Sequence, residues 1–175
     1  MGYKKVPGKV PNPKGPLSPA QMPRDWVEQG LCFGGFVAFE CKIRADSAIV
    51  MKSLLQSDHK VSMLTGDALL TSLHVAREVC IVPGDALTLT LSSGGGATPT
   101  VFWLKRDENT GNESEIRFDV TQIRSLSDTY ALLTTEPAFL AAAEMSGGKT
   151  SDIWKNCDRF QVFARMSPQG KAAVI

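Results

Sequence analysis

Metal-binding and disulfide patterns are missing from this sequence. It holds two histidines and four cysteines, and no two cysteines form a Cys-x-x-Cys pair. Zinc sites and small disulfide-rich folds need ligands or half-cystines at close, regular spacing. We therefore expect no metal ligand set in this chain, and free, partly buried thiols in a reducing compartment.

An excess of charge and a long hydrophobic run are missing as well. The formal net charge is +1 at pH 7, and no five basic residues are consecutive, which argues against a nucleic-acid partner. A membrane-spanning helix needs ~20 consecutive apolar residues, and no segment approaches that length. The longest candidate, 31–39, contains two glycines. We expect no direct membrane insertion by this segment.

What remains is an ordinary globular composition with one unusual segment. Hydrophobic residues make up 43% of the 175 residues and charged residues 21%, as in one soluble domain with a short appendage. Residues 7–23 include six prolines. Because proline fixes φ and lacks a backbone donor, this segment is predicted to be an extended linker. A short helix is predicted after it, beginning near Pro23 and ending at Gly30.

The next part of the chain alternates between strand and helix patterns. A buried strand is predicted at 35–41, a helix capped by Asp46 follows, and a second strand is predicted at 61–64. A second helix is predicted to end near Cys80, with apolar residues recurring on one side. This β-α-β-α order predicts an α/β fold with a parallel, Rossmann-like sheet and helices on both faces.

The middle of the chain has a different pattern. Strands are predicted at 87–91, 101–104 and 116–120, separated by Gly-rich or polar turns, which indicates an antiparallel insertion on the main sheet. The α/β pattern then resumes with a strand at 130–133, a helix at 139–145 and a strand at 161–164. Ser167 and Pro168 are predicted to begin a final helix as its N-cap and first residue.

Thr65-Gly66-Asp67 is the first candidate binding loop. It follows a predicted strand and precedes a predicted helix, whose unpaired amides and partial positive charge favour phosphate. Thr65 adds a hydroxyl donor, and Asp67 could cap the helix or accept from a sugar hydroxyl or from water on magnesium. Ordinary turn-and-cap chemistry remains open as the alternative for the tripeptide alone.

Arg165 and Lys171 form the second candidate element. Arg165 follows the last predicted strand, and Lys171 lies in the early turns of the final helix, where a cation is mildly unfavourable against the helix dipole. Arg offers a planar fork to phosphate or ribose, and Lys offers a compact charge to a phosphoryl group. Both loops are predicted at the carboxyl edge of the sheet, where such folds bind ligands.

Together, the Thr-Gly-Asp and Ala-Arg-x-x-Pro-x-x-Lys motifs resemble the phosphorylation domain of P-type ATPases, which has a haloacid-dehalogenase-like fold. The resemblance implies that Thr65 and Gly66 contact the transferring phosphate and that Lys171 neutralises its charge. It also implies that Asp67 and Arg165 help to hold ATP. By the same resemblance, residues 1–30 are a linker and the tail of a nucleotide-binding domain, and residues 31–175 are a partial phosphorylation domain.

Further segments are similar to the type 5A P-type ATPases of the endoplasmic reticulum. Three residues depart from that pattern: Lys42 replaces a hinge Pro, Ala68 replaces an Asn, and Gly170 replaces a usual Gln or Lys before the motif lysine. The similar segments are 35–47, 57–67, 70–76, 130–133 and 161–165.

Other family motifs do not occur in the chain. It contains no Asp-Lys-Thr-Gly-Thr, which carries the phosphorylated aspartate, and no Gly-Asp-Gly-x-Asn-Asp, which supplies the main Mg²⁺ ligands. We therefore expect an internal fragment that cannot hydrolyse ATP by itself. Its partners would be the remaining cytosolic and transmembrane domains of a cation-transporting or helix-dislocating ATPase. A non-catalytic nucleotide- or phosphate-binding module and a soluble phosphatase of the same fold remain the alternatives.

Overall fold

A computed structural model of the chain describes residues 2–3, 23–38, 42–92, 100–107 and 110–175. The chain forms two compact units, Met1–Lys42 and Ile43–Ile175. None of the described helices is long and apolar enough to cross a bilayer.

The helices are α1 (Arg24–Glu28), α2 (Ser47–Gln56), α3 (Leu69–Glu78), α4 (Ile123–Ser127), α5 (Glu136–Met145), α6 (Asp152–Lys155) and α7 (Pro168–Val174). The strands are β1 (Gly2–Tyr3), β2 (Cys32–Phe33), β3 (Met63–Leu64), β4 (Ala86–Leu91), β5 (Val101–Arg106), β6 (Glu113–Arg117), β7 (Ala131–Thr135) and β8 (Phe160–Ala164).

The first unit contains α1 and the antiparallel pair β1 and β2. The predicted short helix is confirmed: it follows Pro23 and ends before Gly30, which has φ +62°.

The predicted buried strand at 35–41 is wrong for its described part, because residues 35–38 form no strand and Phe36 is 91% exposed. Gly35 has φ +120°, a backbone conformation that residues with a side chain rarely adopt. The predicted linker, apart from Pro23, lies outside the described residues, as do residues 39–41.

In the second unit, six described strands form one sheet in the order β3-β8-β7-β4-β5-β6. The strands from β3 to β4 in this order pair in parallel, and β5 and β6 add to β4 antiparallel. This arrangement confirms the predicted α/β, Rossmann-like fold, consistent with the haloacid-dehalogenase type, and its antiparallel insertion. The last insertion strand lies three residues earlier than predicted, and it cannot extend to residue 120 because Asp119 accepts a hydrogen bond from Thr121 N and begins a 3-10 turn.

Side chains of β7 alternate between two apolar clusters, one on each face of the sheet. Leu132 packs with α5 and the aromatic core, and Leu133 packs with α3. Strand β8 breaks this alternation with a bulge opposite Leu132 and Leu133. The bulged residue, Gln161, accepts a hydrogen bond from Leu132 N at 2.7 Å, so its side chain satisfies a backbone donor beside the irregular ladder.

The helix caps differ in part from the sequence prediction. Ser167 caps α7 by accepting from Gly170 N at 2.9 Å, as predicted. Asp46 precedes α2 but makes no capping bond from its side chain, which instead pairs with Arg44 at 2.8 Å. The guanidinium of Arg44 lowers the pKa of the Asp46 carboxyl. The prediction that Asp46 caps α2 is therefore wrong, because its carboxylate binds the Arg44 guanidinium instead.

Lys60 and Asp158 form an ion pair between the segments that lead into the adjacent strands β3 and β8. The Lys60 ammonium lowers the pKa of the Asp158 carboxyl. A carboxyl with a lower pKa in the folded state stabilises the fold above its unfolded pKa, and this stabilisation disappears as the pH falls through the folded pKa.

Asp158→Asn is expected to lower the free energy of unfolding at pH 7 by at most ~1 kcal/mol, since both side chains are largely exposed. The difference from wild type should shrink as the pH falls through the lowered pKa of Asp158, and should therefore be smaller at pH 2 than at pH 7. Urea unfolding at both pH values measures it, with Glu144→Gln, an exposed carboxylate on α5, as the control. A difference that is undiminished at low pH would mean that the ion pair is not its source.

Candidate phosphate-binding loops

The loops that follow β3 and β8 are joined by backbone hydrogen bonds. The two strands are parallel neighbours, so their carboxyl ends lie at the same edge of the sheet. Beyond that edge, Met166 N donates to Thr65 O at 2.9 Å and Arg165 N donates to Asp67 O at 3.0 Å. The sequence motifs Thr65-Gly66-Asp67 and Arg165-Met-Ser are therefore in direct contact.

Arg165 has a backbone conformation that is unusual for a residue with a side chain. Its φ is +55°, in the left-handed region. Such a residue costs on the order of 1–3 kcal/mol and persists where the surroundings fix it. Here the bond from its N–H to Asp67 O fixes the turn from β8 into α7. Its side chain is exposed at this edge.

The Thr65-Gly66-Asp67 loop is held by its own side chains. Thr65 Oγ1 donates to Asp67 Oδ2 at 2.9 Å and accepts from Asp67 N at 3.1 Å. Asp67 does not cap α3, as the sequence left open; the N-cap is Ala68, with no side-chain hydrogen bond. The first amides of α3 therefore have no side-chain cap at this edge.

Gly66 is exposed, and the protein itself leaves room for a side chain there. A Cβ at this position would lie 3.8 Å from Met166 O, an ordinary contact. Packing within the chain thus does not require the glycine. Because Gly66 has no side chain, a ligand can approach its backbone more closely than it could at another residue.

Lys171 lies one turn into α7, and its side chain is partly buried. Its backbone N–H donates to Ser167 O at 2.9 Å, so its position depends on how the first turn of α7 is held. Among the residues that the structure describes, no carboxylate lies within ion-pair distance of Lys171. The ammonium group is thus available to an external anion.

Glu136 is a residue at this edge that the sequence prediction missed. It follows β7 directly, so it lies at the carboxyl edge beside β8. Its carboxylate accepts from Ser167 N at 2.5 Å and from Ser167 Oγ at 2.8 Å. The only signal that the sequence offered is an acidic residue shortly after the strand predicted at 130–133.

The described residues hold no group of three or more His, Cys, Asp or Glu side chains that could bind a metal ion. They do offer donors suited to phosphate, namely the Thr65 hydroxyl, the uncapped amides of α3 and the Lys171 ammonium. A cavity of about 560 Å³ lies between α3 and strands β4 to β6, and another of about 300 Å³ lies near Lys60 and Asp158. Neither is lined by the loops described above, which form an open edge.

Comparison with known proteins gives clear relatives. The probable manganese-transporting ATPase PDR2 of Arabidopsis thaliana is 34% identical over 176 residues, covering 100% of this chain and 13% of the relative. The endoplasmic reticulum transmembrane helix translocase of Saccharomyces cerevisiae is 34% identical over 152 residues, or 85% of this chain and 12% of the relative. The endoplasmic reticulum transmembrane helix translocase spfA of Aspergillus fumigatus is 29% identical over 153 residues, which cover 87% of this chain and 11% of the relative.

No family model matches the chain. The chain spans only 11% to 13% of the length of these three relatives. The alignment to the Arabidopsis protein nonetheless covers the whole chain, and therefore includes both motif loops. The relatives are named as ATPases or translocases. The chain belongs to the P-type ATPase family and is similar to its type 5A members of the endoplasmic reticulum.

Proposed function

We propose that the chain is part of the cytosolic phosphorylation domain of an ATP-driven P-type transporter in the endoplasmic reticulum membrane. The observation that carries the proposal is the pair of backbone bonds that join the Thr65 loop to the Arg165 loop. These bonds bring together two motifs that lie a hundred residues apart in the sequence. A phosphoryl group bound at this edge would meet donors from both.

The Thr65 loop is proposed to contact the transferring phosphate. Its hydroxyl hydrogen is directed at Asp67 Oδ2, and can turn to a phosphate oxygen at the cost of one exposed hydrogen bond, about 0.5–1.5 kcal/mol. The uncapped amides of α3 add donors and the positive end of the helix dipole. Asp67 would then be free to accept from the nucleotide.

Lys171 is proposed to neutralise the phosphoryl charge, and Arg165 to help hold the nucleotide. Phosphoryl transfer leaves little covalent chemistry to the protein, so positioning and charge stabilisation provide most of the catalysis. ATP supplies the phosphoryl group, and the acceptor aspartate is proposed to lie in another part of the parent protein. The main Mg²⁺ ligands are proposed to lie there as well.

The cargo of the parent protein is a separate matter from this chemistry. Two relatives at 34% identity carry different names, one for manganese transport and the other for translocating transmembrane helices. Cargo is proposed to be selected in the membrane part of the parent protein, while ATP supplies the energy through phosphorylation. We propose that this segment drives transport of a cation or of a transmembrane helix by the same phosphorylation step.

The test is whether the full-length protein that contains this chain forms an aspartyl-phosphate. Membranes bearing it are incubated with radiolabelled ATP, quenched in acid and treated with hydroxylamine. The expected product is an acid-stable phosphoprotein that hydroxylamine cleaves. A binding module would bind nucleotide without labelling, and a phosphatase would release phosphate from small phosphomonoesters. Either of those results would contradict the proposal.

A further inference from the structure

The carboxylate of Glu136 is placed against the first turn of α7. It accepts from both the backbone N–H and the hydroxyl of Ser167, at 2.5 and 2.8 Å. The same hydroxyl accepts from Gly170 N at 2.9 Å as the helix cap. Glu136, Ser167 and Gly170 therefore form one continuous hydrogen-bonded chain, from the end of β7 into the helix that carries Lys171.

Gly170 leaves the space that this carboxylate occupies. A Cβ at residue 170 would overlap the Glu136 side chain, lying 2.5 Å from its Cδ. The nearest atoms are the far end of a flexible side chain, so a larger residue would displace the carboxylate rather than the backbone. Gly170 therefore makes room for the Glu136 carboxylate.

We infer that Glu136 is a positioning residue for Lys171, and that Gly170 is required for it to act. The inference rests on the proposed function of Lys171. Glu136 fixes the first turn of α7 against β7, and its negative charge complements the N-terminal end of that helix. Lys171 follows Gly170 directly, and its backbone N–H donates to Ser167 O at 2.9 Å. The position of its ammonium group therefore depends on how that turn is held.

Glu136 is expected to affect the transfer step more than nucleotide binding. The residues proposed to hold the nucleotide, Asp67 and Arg165, are joined by the bond from Arg165 N to Asp67 O, whereas the Glu136 carboxylate binds Ser167. A small displacement of a charge that stabilises the transition state lowers the rate constant without changing ground-state affinity. A role in folding alone would give no such separation.

The experiment measures phosphorylation in the full-length protein for Glu136→Ala, Gly170→Ala and the double variant. Each single variant is expected to lower the rate constant at saturating ATP roughly tenfold, while the ATP concentration for half-saturation stays within about twofold. The double variant should be no slower than Glu136→Ala, because both changes remove the same contact. Glu136→Gln keeps an oxygen for Ser167 N and should retain most of the rate.

Glu144→Ala serves as the matched control, since Glu144 is an exposed carboxylate on the same helix, α5. Hydrogen exchange of the peptide covering 165–175 is measured on the same proteins, and faster exchange is expected in both single variants. Wild-type rate and exchange in Glu136→Ala would overturn the inference, as would losses that multiply in the double variant. Absence of phosphoenzyme in the wild type would instead overturn the proposed function, and the exchange data would still test the contact.

Discussion

Lys171→Ala is expected to lower the rate of phosphoenzyme formation in the full-length protein by at least ~100-fold, the scale for losing a preorganised charge at a transition state. Lys171 is partly buried and has no carboxylate partner among the described residues, so its charge is not already neutralised. Alanine removes that charge and leaves the Ser167 cap of α7 intact. Rapid-quench measurement of labelled protein at saturating ATP gives the rate.

Lys155→Ala is the matched control for this change. Lys155 is an exposed lysine at the end of α6, where it pairs with Asp152 at 2.8 Å. Surface pairs of this kind contribute about 0–1 kcal/mol, so its loss should leave phosphorylation unchanged. Lys171→Ala with a normal phosphorylation rate would remove the role assigned to Lys171, whatever the state of the other residues.

Phe139→Ala is expected to lower the free energy of unfolding by about 3–5 kcal/mol, the usual cost of removing a fully buried phenylalanine. Phe139 is 2% exposed and lies at the centre of an aromatic group. Its ring centroid is 4.8 Å from that of Trp154 and 5.6 Å from those of Phe160 and Phe163. These contacts join α5 and α6 to β8, so the cavity would weaken the main sheet.

Chemical denaturation of the chain measures this change, with Leu140→Ala as the control. Leu140 is the next residue of α5 and is 43% exposed, so its truncation should cost well under half as much. The loss is also expected to reach the candidate site, because Phe163 O accepts from Thr65 N at 2.9 Å. Equal destabilisation by the two variants would contradict the assignment of Phe139 to the core.

Local pattern was sufficient to predict the parts of the fold in which each element carries its own signal. Apolar spacing predicted the buried face of α3, where Ala76 is fully buried, and Ser167 with Pro168 predicted the start of α7. Strand spacing around Gly-rich turns predicted the antiparallel insertion. The position of both loops at one edge of the sheet followed from the rule that ligands bind at the carboxyl ends of parallel strands.

The features that sequence did not predict depend on distant residues. An apolar run forms a strand only if another strand pairs with it, and residues 35–38 have no such partner in the described structure. Asp46 and Asp67 looked like helix caps, but Arg44 and Thr65 bind their carboxylates instead. The contact between Glu136 and Ser167 joins residues 31 positions apart, so no local pattern could have revealed it.

The most direct test is a structure of the full-length protein with Mg²⁺, ADP and aluminium fluoride, which mimics a phosphoryl group in transfer. Thr65 Oγ1 and Lys171 Nζ are both expected within about 3.2 Å of the same fluoride cluster, the range of a hydrogen bond. Such a structure would place donors from both loops on one anion. An anion bound by only one of these side chains, with the other directed away from it, would contradict a shared phosphate site.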